Sequence, residues 1–236
     1  MTVRLLLAFA AVHALFAAVP ALDLWIAARF FDGTGFPAEH HPLLDWLRRR
    51  LWNASALVFA ACALLWAALG LRRTASDWRP FAWGTLTMLL GPGLLVNGIL
   101  KAHWGRPRPD DVQAFGGEMT FTPPVQIAGE CLRNCSFVSG EASGAAAAAL
   151  IVLGLLAGPA RWAAALALGL AAFAGVLRVA MGGHWASDVA MAWILTALVA
   201  RGLWRALGMD RAAAPHWRHL RADLALRAGS RASRRR

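Results

Sequence analysis

Three separated stretches of the chain carry side chains that can do chemistry together. The first is Lys101-Ala102-His103-Trp104-Gly105-Arg106-Pro107-Arg108-Pro109. The second is Ser136-Phe137-Val138-Ser139-Gly140-Glu141, and the third holds Arg178, His184 and Asp188. Lys101, Arg108 and Arg178 are three cations that nothing in these stretches obviously neutralises, so a multiply charged anion would balance them. Arginine suits phosphate because its planar fork matches a pair of oxygens. Ser139-Gly140 opens an apolar run, where the free N–H groups of a helix start favour an anion and glycine permits close backbone approach. His184 and Asp188 are four apart and would share one helical face. A carboxylate there fixes the imidazole tautomer and stabilises its positive form. The other ring nitrogen is then an activated nucleophile facing the anion. Lys101 is the only lysine among 24 basic residues.

Other polar residues have plainer readings. Arg106 reads as a juxtamembrane anchor. Asp110, Asp111 and Glu118 read as a solvated loop, and His40 and His41 as surface. Cys62 reads as packing inside an apolar run. Cys131 and Cys135, four apart, have a spacing that allows a disulfide in an oxidising compartment. Further ligands that would make them a metal site are not evident.

The spacing Lys101-x6-Arg108-Pro109, then Ser139-Gly140, then Arg178-x5-His184-x3-Asp188 resembles the type 2 phosphatidic acid phosphatase family of membrane lipid phosphatases. The resemblance implies that Lys101, Arg108 and Arg178 hold a phosphate with help from Ser139 and Gly140. It implies that His184 attacks phosphorus to give a phosphohistidine, that Asp188 orients His184, and that water then releases phosphate. It implies neither a metal nor a cofactor. Two positions depart from the family pattern. Glu141 stands where the family has a histidine that protonates the leaving oxygen, and Leu177 stands where a serine usually precedes the arginine. Three readings of the first departure are open. Glu141 is itself the acid, with a raised pKa in an apolar setting, although the nearby cations oppose that. His103 is the acid instead. Or the leaving group, such as the second phosphate of a diphosphate, needs little protonation.

These residues need a scaffold, and composition says which kind. The chain has 236 residues, 58% hydrophobic and 16% charged, and its apolar residues come in long uncharged runs. Soluble domains carry about 25% charged residues. Disorder, a nucleic-acid-binding tail protein and a disulfide scaffold are excluded. The net charge of +11 lies between apolar runs and in the C-terminal tail, which suits lipid headgroups better than nucleic acid.

Six runs, at about 5–22, 51–71, 80–100, 139–160, 162–181 and 184–204, approach the roughly 20 residues that a helix needs to cross a bilayer. Residues 142–150 are rich in small side chains, which let membrane helices approach closely. Pro92 and Gly93 predict a kink in the third run. The first run also has a signal-peptide pattern, with Arg4, an apolar stretch and Val19-Pro20-Ala21. Residues 23–50, with Trp25, Phe30, Phe31 and Trp46, read as an interfacial segment lying on the bilayer. Residues 101–138 form a long, polar, proline-punctuated loop, and loops of that length are usually functional. With the N-terminus inside, 15 of the 24 basic residues fall on the inner side, as the positive-inside rule prefers. The Arg48–Arg50 cluster runs against it. All three chemical stretches then meet on the outer face.

The expectation is therefore an all-α polytopic membrane protein: six transmembrane helices in a bundle, an interfacial segment and a long extracytoplasmic loop. Residues 1–207 would form the phosphatase domain with a motif core at 101–188, and 208–236 a basic cytoplasmic tail on anionic lipid. The partners are membrane lipids and a lipid phosphate substrate, with no nucleic acid. The location is a bacterial inner membrane with the site facing the periplasm. A lipid phosphotransferase using the same intermediate, or a non-catalytic phosphate- or lipid-binding membrane protein, is the alternative.

Overall fold

The computed structural model describes residues 1–72, 77–156 and 161–211. Among them the chain is helical, and a lone bridge between Val112 and Met119 stands in place of any sheet. The main helices are α1 (Thr2–Ala18), α2 (Ala21–Ala28), α3 (Pro42–Arg72), α4 (Arg79–His103), α5 (Gly140–Leu156), α6 (Arg161–Ala180) and α7 (Ala186–Ala206).

Of the six expected spans, α3, α4, α6 and α7 are long and apolar enough to cross a membrane. The first run is instead a broken helix: α1 and α2 meet at 86°, and only as a bent pair do they make a fifth span. Pro20 sits at the break, where it lacks the N–H that would continue the ladder. α5 has 17 residues, about 25 Å at 1.5 Å per residue, short of a hydrocarbon core of about 30 Å. The basic tail expected from 208 lies, beyond Arg211, outside the described residues.

α5 is the hub of the bundle and packs against α3, α4, α6 and α7. Its buried face is Ala142, Ser143, Gly144, Ala145, Ala146, Ala147 and Ala149, so small side chains let four neighbours close in. Large apolar side chains face outward, as lipid contact requires: Leu57 is 70% exposed, Leu64 71% and Trp162 72%. α4 turns π-helical over Leu89–Leu100 around the internal Pro92. There the Asn97 side chain donates to the Pro92 carbonyl at 2.7 Å. The irregularity around Pro92 thus takes the form of widened turns.

Within the segment read as interfacial, Phe31 turns toward the protein. It packs against Phe36 and Phe115, in a cluster that also holds Val112 and Trp185. The long loop 101–138 folds over this cluster and carries the Cys131–Cys135 disulfide. α2 leaves Trp25 exposed and buries Asp23 and Ala27.

Candidate active site

A cavity of about 400 Å³ opens between α3, α4, α5 and the turn before α7. Lys101, Arg108, Gly140, Glu141, Arg178 and His184 line it, drawn from all three stretches. Lys101 ends α4, Gly140 and Glu141 begin α5, Arg178 ends α6, and His184 lies in the turn between α6 and α7. Tertiary packing thus joins residues that are 83 positions apart in sequence at the extremes, Lys101 and His184.

His184 is 2% exposed, and its Nδ1 lies 2.8 Å from the Ser136 carbonyl. That carbonyl can only accept, so Nδ1 carries the proton and Nε2 keeps its lone pair. Burial pushes the imidazole pKa down to about 4, the nearby cations Arg178 and Lys101 act in the same direction, and the negative charge of Asp188 close by opposes it. The imidazole is therefore neutral at physiological pH, the form a nucleophile needs.

Asp188 relates to His184 less directly than sequence spacing suggested. Its Oδ2 is 3.7 Å from Nδ1, beyond a hydrogen bond. The i,i+4 argument requires both residues in one helix, and α7 starts only at Ala186. Asp188 instead accepts the Ser136 hydroxyl and the Trp185 N–H, the latter at 3.1 Å. Ser136 therefore links the two, with its carbonyl on His184 and its hydroxyl on Asp188.

Arg106, read from sequence as a surface anchor, is fully buried. Its Nη1 donates to Asp188 at 2.5 Å and to the Ser187 hydroxyl at 2.8 Å, and its Nη2 donates to Asp23 at 2.8 Å. Its Nε donates to the Thr122 carbonyl at 2.8 Å. Asp23 also accepts the Ser187 N–H and hydroxyl. This network ties α2 to the back of the site. An arginine two residues from a motif arginine, and an aspartate at the end of an apolar run, were the only sequence signals for it.

The cations are held differently from one another. Arg178 is largely buried, and among the described residues its Nε has no hydrogen-bond partner. Gly183 lets it pass, since a Cβ there would stand 2.1 Å from Nη2. Lys101 is 9% exposed and forms no ion pair among the described residues. Arg108 donates to the Asn134 carbonyl at 3.0 Å. Asp110 is not fully solvated: burial and the adjacent Asp111 push its carboxyl up to about 6.

Ser139, expected to touch phosphate, is buried and does not line the cavity; its hydroxyl accepts the Ala142 N–H at 3.3 Å and caps α5. His103 is exposed and outside the cavity wall. The apolar setting imagined for Glu141 is absent: Arg48 lies 2.8 Å from Oε1, and Arg178 Nε lies 3.8 Å from Oε2. Arg48, Arg49 and Trp52 from α3, with Asn97 and Asn134, complete the cavity. The Arg48–Arg50 cluster, a topological anomaly in sequence, thus supplies two cations to this wall.

The arrangement can seat a tetrahedral anion among cations beside a neutral imidazole. Known proteins agree with that chemistry. A sequence model of the PAP2 superfamily matches residues 81–212. The chain is 35% identical over 211 residues to a lipid A 4'-phosphatase of Rhizobium etli, covering 80% of each protein. It is 38% identical over 122 residues to a lipid A 4'-phosphatase of Francisella tularensis subsp. novicida, covering 48% of this chain and 54% of that one. The fold resembles the crystal structure of a transmembrane PAP2-type phosphatidylglycerolphosphate phosphatase from Bacillus subtilis. There the TM-score is 0.55 with 23% identity, over 90% of this chain and 97% of that one.

Proposed function

The chain belongs to the PAP2 superfamily and is a membrane lipid phosphatase, and from that premise we propose that it removes the 4'-phosphate of a lipid A-type glycolipid. The substrate choice rests on the Rhizobium and Francisella relatives. The observation that carries the chemistry is the common cavity of Lys101, Arg108, Arg178 and a neutral His184.

In the proposed reaction the three cations and the start of α5 at Gly140 hold the phosphoryl oxygens. Nε2 of His184 attacks phosphorus in line as the ester P–O bond breaks. The leaving sugar oxygen takes up a proton, with water entering the open cavity as its source. A second water then attacks the phosphohistidine, and phosphate leaves. Ser136 and Asp188 keep Nε2 aimed. Cations directed at developing charge in such sites typically supply about 10²–10³ each in rate.

The finer membrane arrangement is also a proposal: six crossings in a bacterial inner membrane, with the cavity at the periplasmic face. The Cys131–Cys135 disulfide supports an oxidising side for loop 101–138. The use of Arg48 and Arg49 in the cavity removes the main objection from arginine counting. A cysteine introduced at exposed Gln126 should be labelled by an impermeant reagent from outside intact spheroplasts.

The deciding experiment is a panel of lipid phosphates offered to purified protein and to His184→Ala. Wild type should release phosphate from the glycolipid 4'-phosphate without a lipid acceptor, and the variant should release none. Full activity in His184→Ala would refute the nucleophile. Turnover that appears only with a second lipid would make the enzyme a phosphotransferase.

A further inference from the structure

Arg48 belongs neither to the three-part signature nor to the segment 81–212 matched by the superfamily, yet it lines the cavity. The length of α3 brings it there. Residues 51–71 already cover about 32 Å at 1.5 Å per residue, enough for a hydrocarbon core. The first turns of α3 therefore extend past the apolar slab, to the level of the site. The three consecutive arginines then divide. Arg50 stacks over Trp46 at 5.1 Å and is not part of the cavity wall. Arg49 pairs with Asp45. Arg48 is gripped from both sides: Nε and Nη2 donate to Asp45 at 3.3 and 3.1 Å, and Nη1 donates to Glu141 Oε1 at 2.8 Å.

Glu141 occupies the position of the missing motif histidine. One of its oxygens receives Arg48, and the other faces Arg178. Guanidinium groups donate and never accept, so the O–H of a protonated carboxyl would find no acceptor in either. Both oxygens of Glu141 thus face donors and serve as acceptors. A carboxylate in a wall with five cations has another use, which is to fix a long side chain that would otherwise sample many rotamers. A cavity of about 400 Å³ also falls within the range that takes whole small-molecule headgroups, so there is room for contacts beyond those of the signature residues.

We propose that Arg48 is a fourth cation contacting the phosphorylated headgroup, and that Glu141 is the positioning residue that holds it there rather than the proton donor. The inference rests on the phosphatase reading above and deepens it.

The test compares Arg48→Met, Glu141→Gln and the double variant, as full-length protein in detergent. Two substrates are used, an alkyl lipid phosphate and p-nitrophenyl phosphate, whose leaving oxygen needs little protonation. Inorganic phosphate serves as a competitive probe. Each single variant should lose on the order of 10- to 100-fold in kcat/KM, the scale of one charged hydrogen bond. The loss should be similar for both leaving groups, the double variant should be little worse than either single, and phosphate inhibition should weaken by a comparable factor. Arg50→Gln should behave as wild type. A Glu141→Gln loss confined to the alkyl substrate, multiplicative losses, or unchanged phosphate inhibition in Arg48→Met each overturns the proposal. Should Arg48→Met not fold, Arg48→Lys takes its place: a lysine cannot bridge Asp45 and Glu141 as a fork, so weaker phosphate inhibition supports the proposal and unchanged inhibition overturns it. His184→Ala separates the two levels. Activity surviving there defeats the phosphatase chemistry, while phosphate affinity still reports on Arg48.

Discussion

Removing Arg106 is the sharpest perturbation the structure offers. Arg106→Gln leaves Asp23 and Asp188 buried side by side without the guanidinium that both now bond. Breaking a buried ion pair from one side costs about 3–5 kcal/mol, because a charge stays behind unpaired. Asp23→Asn keeps an acceptor for Arg106 and Ser187 and leaves the Arg106–Asp188 pair balanced. Its cost is the difference between a charged and a neutral hydrogen bond, about 1 kcal/mol. At about 2–4 °C per kcal/mol for a chain of this size, Arg106→Gln should lower Tm by about 6–20 °C and Asp23→Asn by about 2–4 °C. The two should not add. With Asp23 already neutral, losing Arg106 strands one carboxylate instead of two, so the double variant should be less damaged than the sum. Thermal unfolding in detergent, followed by fluorescence of the 12 tryptophans, reads all three. In Arg106→Gln the loss of Asp188 and Ser136 as a fixed backing for His184 should lower kcat on the order of 100-fold with little change in KM. Equal destabilisation by the two single variants, or strict additivity, would refute the network as the support of the site.

Two further predictions follow from the same geometry. Because burial holds His184 near pKa 4, its nucleophilic form persists down to about pH 4 and is lost below it. ¹⁵N-histidine NMR, with His184→Ala to assign the signal, should show that titration, and a midpoint near 6.5 would contradict the buried imidazole. Gly183→Ala places a methyl where the Arg178 guanidinium passes, 2.1 Å from Nη2; the flexible arginine should be displaced, raising KM and weakening phosphate inhibition with a small change in Tm. A large loss of Tm with unchanged KM would show instead that the turn backbone, and not the arginine, is what the glycine serves.

Residue types, their spacing and hydropathy were enough to read the class of chemistry and the medium. Long uncharged runs require helices that satisfy their own backbone in lipid, and α3, α4, α6 and α7 follow from that alone. The cations of the signature and His184 could be named as candidates because residue type and spacing along a chain are enough to nominate a phosphate site. Three things needed the tertiary structure. The bend after α1 and the shortness of α5 depend on how helices pack, which hydropathy does not encode. The partner of His184 is a backbone carbonyl at Ser136, and a carbonyl has no sequence signature at all. Arg106, Asp23 and Arg48 are single charged residues that look like interfacial anchors until α2, α3 and the loop after α4 close around the site. A charge reveals its role only through what surrounds it, and in this protein those surroundings come from segments more than 80 residues apart.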